Sequence, residues 1–163
     1  MDNRLNIAFY WHMHQPLYKD PFSGEYILPW VMLHATKDYY DMAAILDEFP
    51  DIHQTFNLVP SLIDQMQDYA SGTAKDKLVD ITRKRADTLT LEDKMFILER
   101  FFQANWHYMI KPLERFWELL LKRGFSGSKN DLASSVRYFS DQDFLDLQVL
   151  FNLAWIDPQT LKE

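Results

Sequence analysis

Residues 7–16 read Ile7-Ala8-Phe9-Tyr10-Trp11-His12-Met13-His14-Gln15-Pro16. The apolar run from Ile7 to Tyr10 predicts a core-directed strand, the first in the chain, over residues 5–12. Side chains on a strand alternate faces, so His12 and His14 leave on the same side. Pro16 has no backbone donor and ends the strand. Two imidazoles thus converge at a strand's C-terminal end, where α/β proteins place their ligands. The aromatics Tyr18, Phe22 and Tyr26 follow at once.

Outward from this stretch, residues 16–30 form a long connection punctuated by Pro16, Pro21, Gly24 and Pro29. Loops of this length inside compact domains are often functional. A helix is expected over 36–48, with Thr36 as N-cap and Tyr39, Met42, Ala43 and Leu46 on its apolar face. Pro50 stops it. Residues 52–59 read as a second strand. Pro60 suits a helix's first turn, Leu62, Ile63, Met66 and Tyr69 give that helix an apolar stripe, and Gly72 closes it. A strand–helix–strand order implies parallel strands, because the crossover is a helix.

Residues 73–156 read as helical. Thr90-Leu91-Glu92-Asp93 resembles a capping box and opens an apolar helix through Phe96, Phe101, Phe102 and Trp106, which Pro112 breaks. A further segment runs to Gly124, and residues 124–130 form a loop. Ser140 with Asp143 opens a last helix carrying Phe144, Leu147, Leu150, Phe151 and Trp155, and Asp157-Pro158 closes it. Neither internal repeats nor low-complexity segments occur. Residues 1–163 are read as a single domain. Two strands have exposed edges and marginal stability alone. The expectation is a piece of something larger, with Lys162-Glu163 ending it soon after a helix.

The 163 residues suffice for one domain with a real core. Hydrophobic residues make up 47% and charged residues 25%, an ordinary balance for a globular protein; aromatics reach 15%, more than a core alone requires. There is no cysteine, which excludes disulfides, cysteine-ligated zinc and a thiol nucleophile. Neither a signal peptide after Met1-Asp2-Asn3-Arg4 nor a bilayer-length apolar segment is visible, so a cytoplasmic protein without membrane contact is expected. The net charge of −7 lies entirely in residues 1–70, which hold three basic and ten acidic side chains. An acidic surround disfavours nucleic acid and anionic substrates and suits a neutral polar ligand or a cation. The short basic run Arg83-Lys84-Arg85 reads as a solvated helix face.

Three readings of His12 and His14 stay open on the residues alone. They could be structural, bonded to nearby backbone. They could ligate zinc or a similar ion, with His34, His53 or Asp20 completing the set. Or they could bind a sugar, His12, His14 and Gln15 meeting hydroxyls while Trp11, Tyr18, Phe22, Tyr26 or Trp30 covers the ring's apolar face. Glycoside cleavage also needs two carboxylates. Only Asp20 and Glu25 lie near the motif in sequence, and neither is assigned that role. No phosphate-cradling glycine loop and no Gly-x-Ser-x-Gly elbow occur.

Longer matches decide between these readings. Trp11–Pro16, Tyr18-Lys-Asp-Pro21, Gly24-Glu-Tyr26, Leu28-Pro-Trp30, Leu33-His-Ala-Thr-Lys-Asp-Tyr-Tyr-Asp41, Thr55-Phe-Asn-Leu-Val-Pro-Ser-Leu62 and Asn152-Leu-Ala-Trp155 resemble the N-terminus of glycoside hydrolase family 57. His14-Gln15-Pro16 matches the family's first signature region. The resemblance implies an α/β fold, the N-terminal part of an incomplete (β/α)7 barrel: a few parallel strands with a large helical insertion. It implies a retaining enzyme of α-glucans, of the α-amylase, amylopullulanase, branching-enzyme or 4-α-glucanotransferase kind, with no obligatory metal or other cofactor. His12 and His14 would line the sugar subsite beside the cleaved bond, with Gln15 and Trp30 as further substrate-binding residues. The family's glutamate nucleophile and aspartate acid/base lie on later barrel strands, and no Trp-x-x-Glu of the nucleophile region occurs here. The resemblance therefore implies an N-terminal segment, inactive alone, whose open barrel edges favour a homo-oligomer.

Overall fold

The computed structural model describes residues 5–126, 128–158 and 160. Met1–Arg4, Gly127 and the terminal Lys162-Glu163, on which some sequence expectations fall, lie outside them. The fold mixes helices with a few short parallel strands, in two compact units. One contains the chain up to Asp76 and from Asp157 onward; the other is Lys77–Ile156.

In the first unit, β1 (Tyr10–Met13) pairs in parallel with β3 (Thr55–Leu58), in the register Tyr10↔Thr55, Trp11↔Phe56, His12↔Asn57 and Met13↔Leu58. Both strands are shorter than the expected 5–12 and 52–59. Thr55 N–H donates to Phe9 O, and before it the partner chain turns at Phe49–Ile52, which leaves residues 5–8 nothing to pair with. The run expected to face the core is instead exposed: Ile7 is 71% and Phe9 57% accessible. Only Met13, the last residue of β1, is buried.

Between the strands one continuous helical stretch runs from Trp30 to Glu48. It consists of α1 (Trp30–His34), a π turn (Ala35–Tyr39), α2 (Tyr40–Ala44) and a 3-10 turn (Ile45–Glu48). It starts six residues before the expected N-cap. Thr36 lies inside it and donates its hydroxyl back to Met32 O and Leu33 O, the usual recourse of a mid-helix threonine. Pro29 stands at the true start.

Helix α3 (Pro60–Ala70) begins with its proline in the first turn, and Gly72 closes it at φ +73°, a backbone angle that favours glycine. Its buried face departs from the expected stripe. Ile63 is exposed, and Gln65 is completely buried with Leu62. Met13, Val31 and Leu62 form the core, with Tyr18, Tyr39, Met42, Phe56, Val59, Met66 and Tyr69 packed on it. A second parallel pair, β2 (Glu25–Tyr26) with β4 (Lys75–Asp76), was not visible in the sequence. Two residues per strand carry no periodicity.

The second unit is all helical: α4 (Lys77–Arg83), α5 (Leu91–Arg100), α6 (Glu114–Arg123), α7 (Lys129–Val136) and α8 (Asp141–Ala154), with a 3-10 turn (Ala86–Thr88) and a π turn (Trp106–Ile110). The expected capping box forms at Thr90, and Ser140, expected to open the last helix, forms another. Thr90 and Asp93 exchange side-chain and backbone bonds at the start of α5, as do Ser140 and Asp143 at the start of α8. The apolar helix expected through Trp106 ends at Arg100, and the expected 124–130 loop is shortened because Ser128 caps α7. Phe101 and Phe151 stack at 4.8 Å in a core with Leu98, Phe116, Leu119, Leu120, Phe144 and Leu147. Buried Arg123 donates to Leu98 O at the end of α5 and to Gly124 O at the end of α6. Carbonyls at helix C-termini carry partial negative charge, which suits a cation.

Candidate functional site

The site begins at the C-terminal ends of the parallel strands. His12 and His14 project from the same side, their rings stacked 5.4 Å apart and 18° from parallel. The β1–β3 register sets Asn57 beside His12, and its amide nitrogen lies 2.7 Å from His12 Nδ1. An amide N–H donates, so Nδ1 accepts and the ring proton sits on Nε2, a donor suited to a hydroxyl. Both imidazoles are exposed. Trp11, on the opposite face of the strand, donates its indole N–H to Gln54 Oε1.

The backbone following His14 is held by side chains of α3. Gln65 Oε1 accepts from Tyr18 N at 2.8 Å, and its Nε2 donates to Pro16 O at 2.9 Å and Ser61 O at 2.7 Å. Ser61 Oγ donates to Gln15 O at 2.8 Å. Gln15 donates to the Tyr39 hydroxyl at 3.0 Å and accepts from the Tyr18 hydroxyl at 2.9 Å. Burial, then the nearby Tyr39, holds the Tyr18 phenol above its ordinary pKa, which keeps it a donor. With both ends of its amide engaged, Gln15 orients the motif within this network. A tilted ring series runs from Trp30 to His34 (6.1 Å) and from His34 to Tyr39 (6.1 Å), linking Trp30 to the Gln15 network through Tyr39.

The other residues singled out in sequence take different places. Tyr26 is buried, and its hydroxyl donates to Asp68 at 2.9 Å, so it is core rather than platform. Phe22 stands almost wholly exposed. Asp20 accepts from Phe22 N and Ser23 N, both at 2.8 Å; the Ser23 N–H and then the Phe22 N–H lower its carboxyl pKa. It shapes a turn. His34 pairs with Asp38 at 2.5 Å, and His53 is exposed. Among the described residues, no three His, Asp or Glu side chains gather to hold a metal ion.

Sequence reasoning missed Asn57, Ser61 and Gln65. Gln65 carried a signal: it falls three residues after Leu62, on the same helical face as Met66 and Tyr69. A polar side chain on an apolar stripe either breaks the stripe or satisfies something buried. Asn57 has no local signal, because only the strand register brings it to His12.

Parallel strands linked by a helix make this unit α/β, and the paired imidazoles stand at the strands' C-terminal ends, where proteins of that class place their ligands. The family model described as Glycosyl hydrolase family 57 matches residues 8–161, and the chain belongs to that family. Neither the curated proteins nor the solved structures provide a match. No helix among the described residues is long and apolar enough to cross a membrane.

Proposed function

We propose that this chain supplies the first strands of an incomplete (β/α)7 barrel in a retaining enzyme of α-glucans, and that His12 and His14 bind the sugar beside the cleaved bond. The observation that carries the reading is the stacked His12–His14 pair, with Asn57 directing the His12 ring proton, at the C-terminal ends of two parallel strands. Imidazoles and an amide suit the hydroxyls of an uncharged sugar. A barrel origin accounts for the exposed Ile7, Phe9, Tyr10 and Leu58, since further strands would cover them.

A retaining reaction needs two carboxyl groups about 5–5.5 Å apart. The family resemblance gives those roles to strands beyond the ones described here. The 163-residue chain alone therefore releases no reducing sugar from soluble starch, whereas the full-length gene product does. In the latter, His14→Ala lowers turnover by roughly a hundredfold or more, the scale of a lost polar contact to the transition state. Full activity in that variant removes His14 from the site.

A further inference from the structure

Helix α8 is apolar on two sides. Phe144, Leu147 and Phe151 are completely buried in the core. Leu145, Val149 and Leu153 follow at i, i+4 and i+8, so they form a second row along the helix. Leu145 and Val149 are exposed. Together with Ile156 this row lines a groove of about 520 Å³, and the end of α4 forms its other wall. A surface helix ordinarily turns charged groups outward, and an apolar row left open in a groove marks a place for a partner.

The rim of the groove is basic. Arg83, Lys84 and Arg85 line it and are exposed. Lys84 pairs with Asp93 at 2.9 Å and Arg85 with Asp87 at 2.7 Å, while Arg83 has no ion-pair partner among the described residues. Both paired cations keep further N–H donors. Buried Gln148 fixes the two walls: its Nε2 donates to Ile81 O at 2.7 Å and to Lys84 O at 2.9 Å. Two polar atoms in the lining, Gln148 Oε1 and Thr82 Oγ1, have no hydrogen-bond partner among the described residues. The groove is therefore preformed, apolar along its length and positive at one edge.

The chain carries the complement of this groove in its acidic part. Ile45, Phe49 and Ile52 are each between 42% and 49% exposed, three apolar side chains within eight residues. The exposed carboxylates Asp47 and Asp51 lie between them in sequence. We propose that residues 45–52 of one copy dock in the α8 groove of a second copy. Phe49 fills the apolar row, and Asp47 faces Arg83. Opposite charges at the rim fix the register and steer the encounter, while the apolar row supplies the buried surface. Where each copy uses both surfaces the contact closes as a dimer; otherwise it extends head to tail. The contact is separate from the exposed strand residues Ile7 and Phe9, and it does not depend on the sugar reading.

The test is sedimentation equilibrium of the full-length gene product at rising concentration and low salt. The expected result is a weight-average mass above that of one chain. Arg83→Glu and Phe49→Asp each weaken the association roughly tenfold or more, and adding Asp47→Lys to Arg83→Glu recovers part of the loss. All three positions are exposed, and circular dichroism shows that each variant folds. Recovery in the double variant is a result that misfolding does not produce. The mass of one chain at every concentration overturns the proposal. So does association that survives both Arg83→Glu and Phe49→Asp, which assigns the contact to another surface. A folded double variant without recovery overturns it too. An acidic amphipathic peptide that binds the groove of a monomeric chain gives the groove to a different protein and overturns the second copy as occupant.

Discussion

Gln65 Oε1 accepts the backbone N–H of Tyr18 at 2.8 Å, so a buried side chain in the middle of α3 fixes the chain just after the histidine motif. The same amide reaches Pro16 O and Ser61 O. Two of these groups, Pro16 O and Tyr18 N–H, lie in the segment that directly follows His14 and Gln15, and the third lies in α3 itself.

Gln65→Leu keeps the volume and removes all three bonds. Buried donors and acceptors left without partners cost about 1–3 kcal/mol each, so a loss of about 2–4 kcal/mol is expected in urea unfolding. A loss below about 0.5 kcal/mol would mean that water replaces the amide without penalty.

Asn57→Ala removes the donor that holds His12 in its Nε2–H tautomer. Misoriented contact groups lower rate more than binding. In the full-length gene product, kcat is expected to fall roughly tenfold with a smaller change in KM. Unaltered kcat would show that the His12 ring orientation does not matter to turnover.

Asp143 links caps and charges at the start of α8. Burial raises its pKa, but the Lys122 ammonium, the Ser140 N–H and hydroxyl and the Arg115 guanidinium outweigh that and hold it well below the usual carboxylate range. A depressed folded-state pKa contributes stability above the unfolded value, near 3.9, and that contribution is lost as pH falls toward the folded value. Asp143→Asn should therefore destabilise by about 2 kcal/mol or more at pH 7, and the gap to wild type should shrink below about pH 4. Urea titrations at pH 7 and pH 3 give the two gaps; equal gaps would contradict the assignment.

Gly124 adopts φ +84° and ψ 168°, a region nearly reserved for glycine. An added Cβ meets nothing within 4 Å, so Gly124→Ala isolates the backbone strain. A loss of about 1–3 kcal/mol is expected in thermal or denaturant unfolding. A neutral variant would mean that the turn relaxes, and Phe125 would then shift from its place beside Trp106.

Local chemistry was legible wherever a short segment determines its own conformation. The capping boxes at Thr90 and Ser140, the proline start of α3 and the glycine ends at Gly72 and Gly124 each need only a few neighbouring residues. The start at Pro29 was missed because α1 and α2 are joined by a π turn, which breaks the 3.6-residue period that would reveal one long helix. The direction of Ile7 and Phe9 was misjudged because a strand pattern shows which residues share a face, not what covers that face.

From its residues alone, this protein is bound to a parallel strand pair crossed by helices, to two histidines on one side of the first strand, and to a motif that places it in family 57. Alternation, capping and motif spacing are local, and sequence records them. The partner of His12, the hold of Gln65 on Pro16 and Tyr18, and the union of Trp106 with Phe125 came only with the tertiary structure. Each joins segments through register or packing, and no local pattern encodes which distant residue arrives.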